Sequence, residues 1–580
     1  MERNASNRRI VRRQWRRSIR ASMAVLCLAA ALPAFAPTGA VASRAAPGVG
    51  PAERGGLVEI PDGRQPRSQA TPAPTDVNLP ANGARGYAAE KAAAEHDRRA
   101  SVPAPTLDVA RDVQRVVTTS FEGLNSQTGG GFSPPDTIVA KSPTRVVEAV
   151  NSAIRMTTTS GTLVQSMSLD TFLSSSASTQ GSPFDPKIFY DRNSVRPRMY
   201  VVALQKVGDD DLITSNDSAR LILAVSRSSD PTTLSSSGWC RYAFNAEREA
   251  NTSSATWADY PGLGIGADSV VISENQFTFT APNTFRYPVL RVLRKSVIND
   301  NAASCPSATS IPTYTFLPPG LPGSYSFFTM QPVQHYTSPS SFIGASSPVY
   351  LVNSLGSGQS SYRVWRLANL WTSSPSLTST TVPTFITYST PVNAPGGATA
   401  GLDSGDTRVL QAAGIGNSIT FVNGSGCNFT SFTPPEACLR IVKIQVGQSP
   451  FLAPTASLTQ VQSFGGGNGY YDMYPSVAVN SAGAAAVAFQ RTTGLTVPTT
   501  YLSTRFITKT SSASFVSSSA LGPSGTCALT VGLQSGRYRA GDYTGAQTDT
   551  DGVGFWLAGE RATLSGSNCI WSTRVGRVTV

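Results

Sequence analysis

The sequence predicts an all-β fold, a seven-bladed β-propeller, and three observations lead to this prediction. Charged residues make up only 14% of the 580 residues, and the body is rich in Ser, Thr, Gly and Pro, which suits short strands and turns. Between Ser476 and Asn480 the side chains alternate, with Val477 and Val479 on one face, which is the period of a strand. An aspartate precedes a similar strand several times, as expected when one sheet unit is repeated.

The first of these strands is followed by a turn and a second strand. Asn480 to Gly483 supplies turn residues, and Ala484 to Phe489 reads as a strand of small residues that can pack closely against a neighbouring sheet. We therefore predict a hairpin between residues 476 and 489.

Seven repeat starts are found when the leading aspartate is used as the marker. The starts are Asp136, Asp185, Asp259, a degenerate copy near Gln331, Asp406, Asp472 and Asp542. They are on average about 68 residues apart, more than the roughly 40–50 residues of compact blades, so the extra length is expected in loops. Gly208–Ser218 and Asn299–Gly323 are the predicted insertions. Six or eight blades remain as alternatives.

The sequence of the N-terminal residues 1–115 predicts an export signal followed by a linker. Arginine pairs precede the apolar run Ala21–Phe35, which is shorter than the roughly 20 residues of a membrane span, and Ala40–Ala42 is a cleavage pattern. Residues 1–42 are therefore predicted to be a signal peptide, residues 43–115 a disordered linker rich in Ala, Pro and Arg, and residues 116–580 the propeller. Tyr87–Arg99 has some helix propensity and is included in the linker. Val113–Phe121 is expected to complete the sheet that holds Trp571–Val580.

The net charge of +12 does not indicate a nucleic-acid groove, because most of the excess lies outside the repeats. Residues 1–115 carry a net charge of +8 and residues 116–580 a net charge of +4. We expect a secreted monomer without a membrane span and without a nucleic-acid partner.

Six cysteines remain after removal of Cys27 with the signal peptide, and an even number in an exported chain suggests disulfide bonds. Six cysteines allow 15 pairings. If neighbours in sequence are joined, the pairs are Cys240–Cys305, Cys427–Cys438 and Cys527–Cys569. The chain has only two histidines, His96 and His335, which excludes a metal site built from clustered histidines.

The leading aspartates are the candidate site. In a propeller the first strand of each blade lines the central channel, so these carboxylates would lie near one axis and could bind Ca²⁺. In the alternative and favoured interpretation, each aspartate accepts hydrogen bonds from backbone N–H groups and holds a loop. No other cofactor is expected, and no residue is assigned a catalytic role. The six aspartates are Asp136, Asp185, Asp259, Asp406, Asp472 and Asp542.

Other candidates have a structural explanation that we favour. Asp549–Gly552 reads as a hairpin turn rather than a calcium loop, and Asp209–Asp211 as a solvated charge run. His335 is expected to be structural rather than a general base. Four aromatic residues are expected to pack between blades rather than stack on sugar rings: Trp257, Tyr260, Tyr543 and Trp556.

Several short motifs together resemble a family of secreted bacterial-type β-propeller proteins of unsettled function, sialidase-like in appearance. The motifs are Phe121–Leu124, Pro134–Thr137, Asp185-Pro186 with Tyr190-Asp191, Trp257–Pro261, and Gly541–Tyr543 with Phe555-Trp556 and Glu560. The resemblance implies a propeller fold and export rather than a reaction. The S-x-D-x-G-x-x-W box of many sialidases is absent from this chain, and Ser565–Trp571 only faintly suggests it, which weakens a sialidase assignment.

The function predicted first is a binding module that recognises an extracellular glycan or protein through its inserted loops. The first alternative is a glycoside hydrolase or lyase that uses paired carboxylates, either two of the six aspartates or Glu274 with Asp259. The second alternative is a structural cell-surface protein.

Overall fold

The strands of this protein form antiparallel groups of four that follow one another along the chain. The computed structural model describes residues 57–59, 91–94, 106–107, 116–173, 181–207, 218–249, 255–280, 283–301, 303–318, 327–338, 347–428, 436–448, 454–467, 469–494 and 501–580. All of them belong to one unit, Gly48–Val580. Strands account for most of these residues, so the predicted all-β class is confirmed. The predicted signal peptide lies outside the described residues.

Three strands precede the first group and pair with later groups. They are β1 (Leu57–Glu59), β2 (Thr106–Leu107) and β3 (Val116–Asn125). β1 pairs with the last strand of the second group, β2 with the last strand of the fifth, and β3 completes the seventh. Strands β1 and β2 thus lie within residues 43–115, which the sequence predicts to be a linker.

The first three groups contain strands β4 to β15. The first group is β4 (Ile138–Lys141), β5 (Arg145–Val150), β6 (Ala153–Thr158) and β7 (Leu163–Ser168), followed by helix α1 (Leu169–Leu173). The second group is β8 (Phe184–Asp191), β9 (Arg198–Val207), β10 (Ser218–Ser226) and β11 (Trp239–Asn245). The third group is β12 (Thr256–Ile265), β13 (Ser269–Thr278), β14 (Phe285–Arg294) and β15 (Thr313–Phe316), with helix α2 (Lys295–Asn301) after β14.

The next three groups contain strands β16 to β27. The fourth group is β16 (Gln331–Thr337), β17 (Val349–Ser354), β18 (Gln359–Ala368) and β19 (Ser376–Tyr388). The fifth group is β20 (Val409–Ile415), β21 (Ser418–Cys427), β22 (Glu436–Gln448) and β23 (Pro454–Gly465). The sixth group is β24 (Tyr470–Val479), β25 (Ala485–Thr493), β26 (Ser503–Lys509) and β27 (Ser519–Ala520).

The seventh group takes strands from both ends of the described body. A small hairpin comes first, formed by β28 (Leu533–Gln534) and β29 (Arg537–Tyr538). The group itself is β30 (Gly545–Thr548), β31 (Phe555–Ser565), β32 (Asn568–Thr579) and β3. The pairing of β3 with β32 confirms that residues near 116–121 join the C-terminal strand.

Two predictions about local structure have clear outcomes. β24 and β25 pair as the predicted hairpin. The segment Asn299–Gly323 is not an irregular loop throughout, because β15 lies within it and pairs with β14 through backbone hydrogen bonds. The Pro- and Gly-rich composition around β15 obscured this strand in the sequence. Residues 208–217, the centre of the other predicted insertion, lie outside the described residues, as do Asp209–Asp211.

A left-handed residue followed by proline interrupts the first strand of three groups. Asp185, Tyr260 and Tyr474 have φ angles of 52°, 54° and 51°, and each precedes a proline. Proline has no N–H for the ladder, so the pairing shifts register at these positions. Each of these bulges shifts the register at the start of its strand and changes the direction of the neighbouring side chains.

The first strands of neighbouring groups lie against one another. β4 contacts β8, β8 contacts β12, and the contacts continue through β16, β20 and β24 to β30, which contacts β4. A hollow of about 360 Å³ lies among them, with Ile138, Lys187, Gln331 and Tyr543 in its wall. None of the sheets in the described part of the chain closes on itself through hydrogen bonds.

Large apolar side chains fill the space between neighbouring groups. Trp257 packs with Tyr242 and Phe244 of the second group, and Trp556 packs with Val139 and Val146 of the first. Burying such a side chain stabilises the fold by about 1.5–3 kcal/mol. The packing interpretation of these two tryptophans is therefore confirmed.

Disulfide bonds join the three predicted cysteine pairs, Cys240–Cys305, Cys427–Cys438 and Cys527–Cys569. None of the helices in the described part of the chain has the length and apolar character of a membrane span.

Candidate functional site

Four of the six leading aspartates lie together at the starts of the first strands. The backbone N–H of Asp542 donates to Asp136 Oδ1 at 2.6 Å, and the N–H of Tyr260, which follows Asp259, donates to Asp185 Oδ2 at 3.3 Å. The first contact joins the seventh group to the first, and the second contact joins the third group to the second. We call Asp136, Asp185, Asp259, Asp542, Lys187, Tyr260, Tyr543 and Arg408 the aspartate cluster.

Asn151, in the turn between β5 and β6, holds two of these aspartates. Its Nδ2 donates to Asp136 Oδ2 at 2.6 Å, and its Oδ1 accepts the N–H of Asp185 at 2.6 Å. Asp136 and Asp185 have φ angles of 56° and 52°, a region that aspartate tolerates better than most residues. The favoured interpretation of aspartates as backbone acceptors therefore describes Asp136 and Asp185 well, although nothing in the sequence singled out Asn151.

Two tyrosines and a lysine form the inner layer of the aspartate cluster. Tyr543 Oη donates to Asp185 Oδ2 at 2.9 Å, and Tyr260 Oη donates to the carbonyl of Asp542 at 3.2 Å. The two rings lie 4.7 Å apart, and Lys187 Nζ lies over the Tyr543 ring. Both tyrosines are buried, so their rings pack in the cluster and are not an open surface for a sugar.

Arg408 and Asp406 lie at the edge of the aspartate cluster. The Arg408 guanidinium donates to Asp406 Oδ1 at 2.9 Å and to Oδ2 at 2.7 Å, and stacks on Tyr260 at 4.0 Å. Asp406 is thus hydrogen-bonded to the cluster through Arg408. Asp542 is similarly paired with Arg539, at 2.6 Å.

Burial and mutual repulsion shift the ionisation of the aspartate cluster. The pKa of Asp136 is raised well above its usual range by burial and then by Asp542 and Asp185. Burial first, and then a neighbouring carboxylate, also raises the pKa of Asp185 and of Asp259. Burial lowers the pKa of Lys187 to about 7, against the attraction of Asp185. These shifts favour the protonated form of the buried carboxyls, which can donate as well as accept hydrogen bonds, and the neutral form of Lys187.

Asp472 does not belong to the aspartate cluster. Its carboxylate is fully buried and pairs with Arg491, the residue opposite it on β25, at 2.5 and 2.7 Å. Because Asp406 and Asp472 are each bound to an arginine, the six aspartates do not form one ring of free carboxylates. In the described residues, no group of three or more His, Cys, Asp or Glu side chains is arranged to hold a metal ion. Calcium binding remains a prediction.

The pair Glu274 and Asp259 is not brought together. Asp259 lies opposite Asn275 on β13, so the adjacent Glu274 faces the other side of the sheet. There Glu274 pairs with Arg291 at 2.8 Å. Because side chains alternate along β13, the two carboxylates lie on opposite faces of the sheet. The expectation that β12 and β13 are neighbours was not enough to predict this separation.

His335 is buried and forms no hydrogen bond to an acid among the described residues. Neither ring nitrogen has a hydrogen-bond partner in the described structure, and burial lowers the pKa of His335 to about 3. The side chain is therefore neutral and has no acidic group to orient it, which agrees with a structural role. It lines a second hollow of about 350 Å³ near the other ends of the first strands.

The segment Asp549–Gly552 forms the predicted turn between β30 and β31. The N–H of Asp549 donates to the carbonyl of Gly554 at 2.8 Å, and Asp551 accepts the N–H groups of Val553 and Gly554. Gly552 has a φ angle of 77°, which glycine adopts without strain.

A short part of the predicted linker lies beside the aspartate cluster. Residues 91–94 are helical, and the Lys91 side chain is buried. Its Nζ donates to Pro391 O at 2.8 Å and to Ser404 Oγ at 2.9 Å, and lies 3.7 Å from Asp403. Asp403 also contacts Arg539, the partner of Asp542, so a chain of charges connects Lys91 to the cluster.

Comparison with known proteins finds similarity only among solved structures. No family model matches the chain, and no curated protein matches it. An α-L-arabinanase of Penicillium chrysogenum, in complex with arabinobiose, aligns at 10% identity and a TM-score of 0.29, covering 55% of this chain and 92% of that one. A sialidase of Trypanosoma rangeli, in complex with sialic acid, aligns at 9% identity and a TM-score of 0.32, covering 81% of this chain and 59% of that one. This chain thus spans little more than half of the sialidase chain.

Proposed function

We propose that this protein is a secreted seven-bladed β-propeller that binds an extracellular glycan at the aspartate cluster. Seven antiparallel runs of four strands, with first strands that contact one another from β4 to β30 and back to β4, support seven blades around a central axis. The third to fifth runs are joined through the parallel pairs β12–β16 and β16–β20 into one 13-stranded sheet. Three disulfide bonds support an oxidising, extracellular environment.

The observation that carries the binding function is the convergence of carboxylates and arginines from five blades at one end of this axis. Asp259 and Asp542 are partly exposed there, as are Arg408 and Arg539. Sugar hydroxyls donate to carboxylates and accept from guanidinium groups, so alternating groups of both kinds suit a polyhydroxylated ligand. Because Asn151 and the buried tyrosines hold the cluster rigidly, little ordering is needed on binding.

Replacing Asp542 by asparagine is expected to weaken glycan binding at least tenfold, because one charged acceptor at the open side is lost. The measurement is titration calorimetry of the secreted protein with glycans selected on an array. Asp300→Asn is the matched control, since Asp300 is exposed and pairs with Arg196 away from the cluster. Unchanged affinity of the Asp542→Asn variant would contradict the proposal, as would binding of an extracellular protein and no glycan.

The second candidate function is hydrolysis of a glycoside, and the state of Asp259 favours it. Asp259 is partly exposed, and burial and then Asp185 raise its pKa well above the usual range, a shift that favours the protonated form. A protonated carboxyl can serve as the general acid, while Asp542, paired with Arg539, supplies a carboxylate.

If the protein is a hydrolase, Asp259→Asn is expected to reduce turnover of fluorogenic glycosides by at least 100-fold without unfolding the protein. The Asp300→Asn variant should keep full activity. Turnover that is equal in the Asp259→Asn variant, or absent with every glycoside tested, would remove hydrolysis and leave binding as the function.

A further inference from the structure

Arg440 is a fully buried arginine between the fourth and fifth groups. It lies in the middle of β22, and none of its surface is exposed. Its strand partners are Asn423 on β21 and Ser463 on β23, so the three side chains share one face of the sheet. Arg440 Nη2 donates to the carbonyl of Thr387 on β19 at 2.8 Å, which shows that this face meets the fourth group.

Most of the hydrogen-bonding capacity of Arg440 is unused. Its Nε and Nη1 atoms are buried and have no partner among the described residues, and neither has Ser463 Oγ. Asn423 does not satisfy them: its Oδ1 accepts from Tyr362 Oη at 2.7 Å, and its Nδ2 donates to Gly424 O at 2.8 Å. Three donor atoms, Arg440 Nε, Arg440 Nη1 and Ser463 Oγ, therefore lie without an acceptor in one buried region.

The positive charge of Arg440 also lacks a counter-charge. Among the described residues, the ionisable groups that act on Arg440 are Tyr362 and Tyr388, and no carboxylate does. Burial raises the pKa of both tyrosines well above their usual range, so both are neutral. An unpaired buried guanidinium is strongly unfavourable, and two other buried arginines are paired with a carboxylate: Arg291 with Glu274, and Arg491 with Asp472.

We propose that Arg440 binds a small monovalent anion of the halide class. A halide ion carries one negative charge, accepts hydrogen bonds and offers none, which matches one guanidinium and the Ser463 hydroxyl group. The complete burial of Arg440 and its neutral surroundings favour a small, singly charged ion over a multivalent one. The ion would connect the fourth and fifth groups close to the Cys427–Cys438 disulfide, since Cys438 lies two residues from Arg440.

The first test is thermal unfolding of the full secreted chain in chloride, with gluconate replacing chloride at constant ionic strength. The melting temperature is expected to rise on the order of 1 °C per tenfold increase in chloride above the dissociation constant. Arg440→Met should abolish this dependence, whereas Arg291→Met, which removes a paired buried arginine, should keep it. Equal chloride dependence of the Arg440→Met variant and the unaltered protein would overturn the proposal.

The second test needs no variant, so it tests the halide site even if the Arg440→Met variant fails to fold. Crystals of the unaltered protein grown in bromide should show an anomalous peak within hydrogen-bonding distance of Arg440 Nη1. Electron density without an anomalous signal would identify a water molecule there and overturn the halide site.

Discussion

Replacing Arg491 by leucine is expected to destabilise the protein by about 3–5 kcal/mol, because it leaves the carboxylate of Asp472 buried without its counter-charge. Asp472 is fully buried and Arg491 is 4% exposed, so water cannot replace the lost partner. The guanidinium donates to both carboxylate oxygens, and Asp472 also accepts the N–H of Gly466 at 3.1 Å. Chemical denaturation of the purified protein, followed by fluorescence, measures the effect.

Two further variants separate charge burial from loss of packing. The double variant Asp472→Leu/Arg491→Leu is expected to recover much of the lost stability, because no isolated charge remains. Arg294→Leu breaks a partly exposed pair with Asp268 and should cost at most about 1 kcal/mol. A double variant as unstable as Arg491→Leu alone would show that the ion pair is not the cause.

Replacing Glu560 by glutamine is expected to stabilise the protein at alkaline pH and to remove part of its pH dependence. Glu560 is fully buried in the seventh group, where its Oε1 accepts the N–H of Thr137 at 2.9 Å and its Oε2 accepts from Gln490 Nε2 at 2.5 Å. Burial raises its pKa from 4.5 to about 8. The folded protein therefore binds one more proton than the unfolded chain between pH 4.5 and 8, so stability falls as pH rises through this window and the loss is complete above about pH 8.

A shift of this size corresponds to roughly 3–5 kcal/mol between the two ends of the window. Glutamine at position 560 keeps the acceptor for Thr137, and a flip of Gln490 would bring its unpartnered Oε1 to the new amide. The difference in denaturation free energy between variant and unaltered protein, measured from pH 5 to 9, isolates Glu560 from Glu148, whose pKa burial also raises, to about 7. Glu122→Gln, at an exposed glutamate, should leave the slope unchanged, and an identical slope in Glu560→Gln would refute the assignment.

Much of the repeat pattern could be predicted because short stretches of sequence mark the starts of the strands. The leading aspartates precede alternating strands, and Asp185, Tyr260 and Tyr474 each precede a proline, so the starts of several first strands carry a visible signal. The disulfide pairs followed from the assumption that neighbours in sequence are joined. β15 was missed because Pro and Gly around it hid a four-residue strand that is stabilised by pairing with β14.

The candidate site could be predicted only in part, because its composition depends on contacts between distant groups. Tyr260 and Tyr543 directly follow aspartates of the cluster, but their packing against Lys187 is a tertiary effect. Lys187 and Arg408 each lie two residues after a leading aspartate, a shared spacing that could have drawn attention to them. Asn151 carries no such signal, since it reaches Asp136 and Asp185 from a turn.

The pairing of β3 with β32 determines when the molecule can complete its fold. The partners Val116 and Thr579 are separated in sequence by nearly all of the seven groups, so the seventh group cannot be completed during synthesis before Asn568–Thr579 has left the ribosome. Closing so long a loop is entropically slow, and the first and sixth groups keep one apolar face uncovered until then. The ring of groups therefore stays incompletely folded until strand β32 has been synthesised.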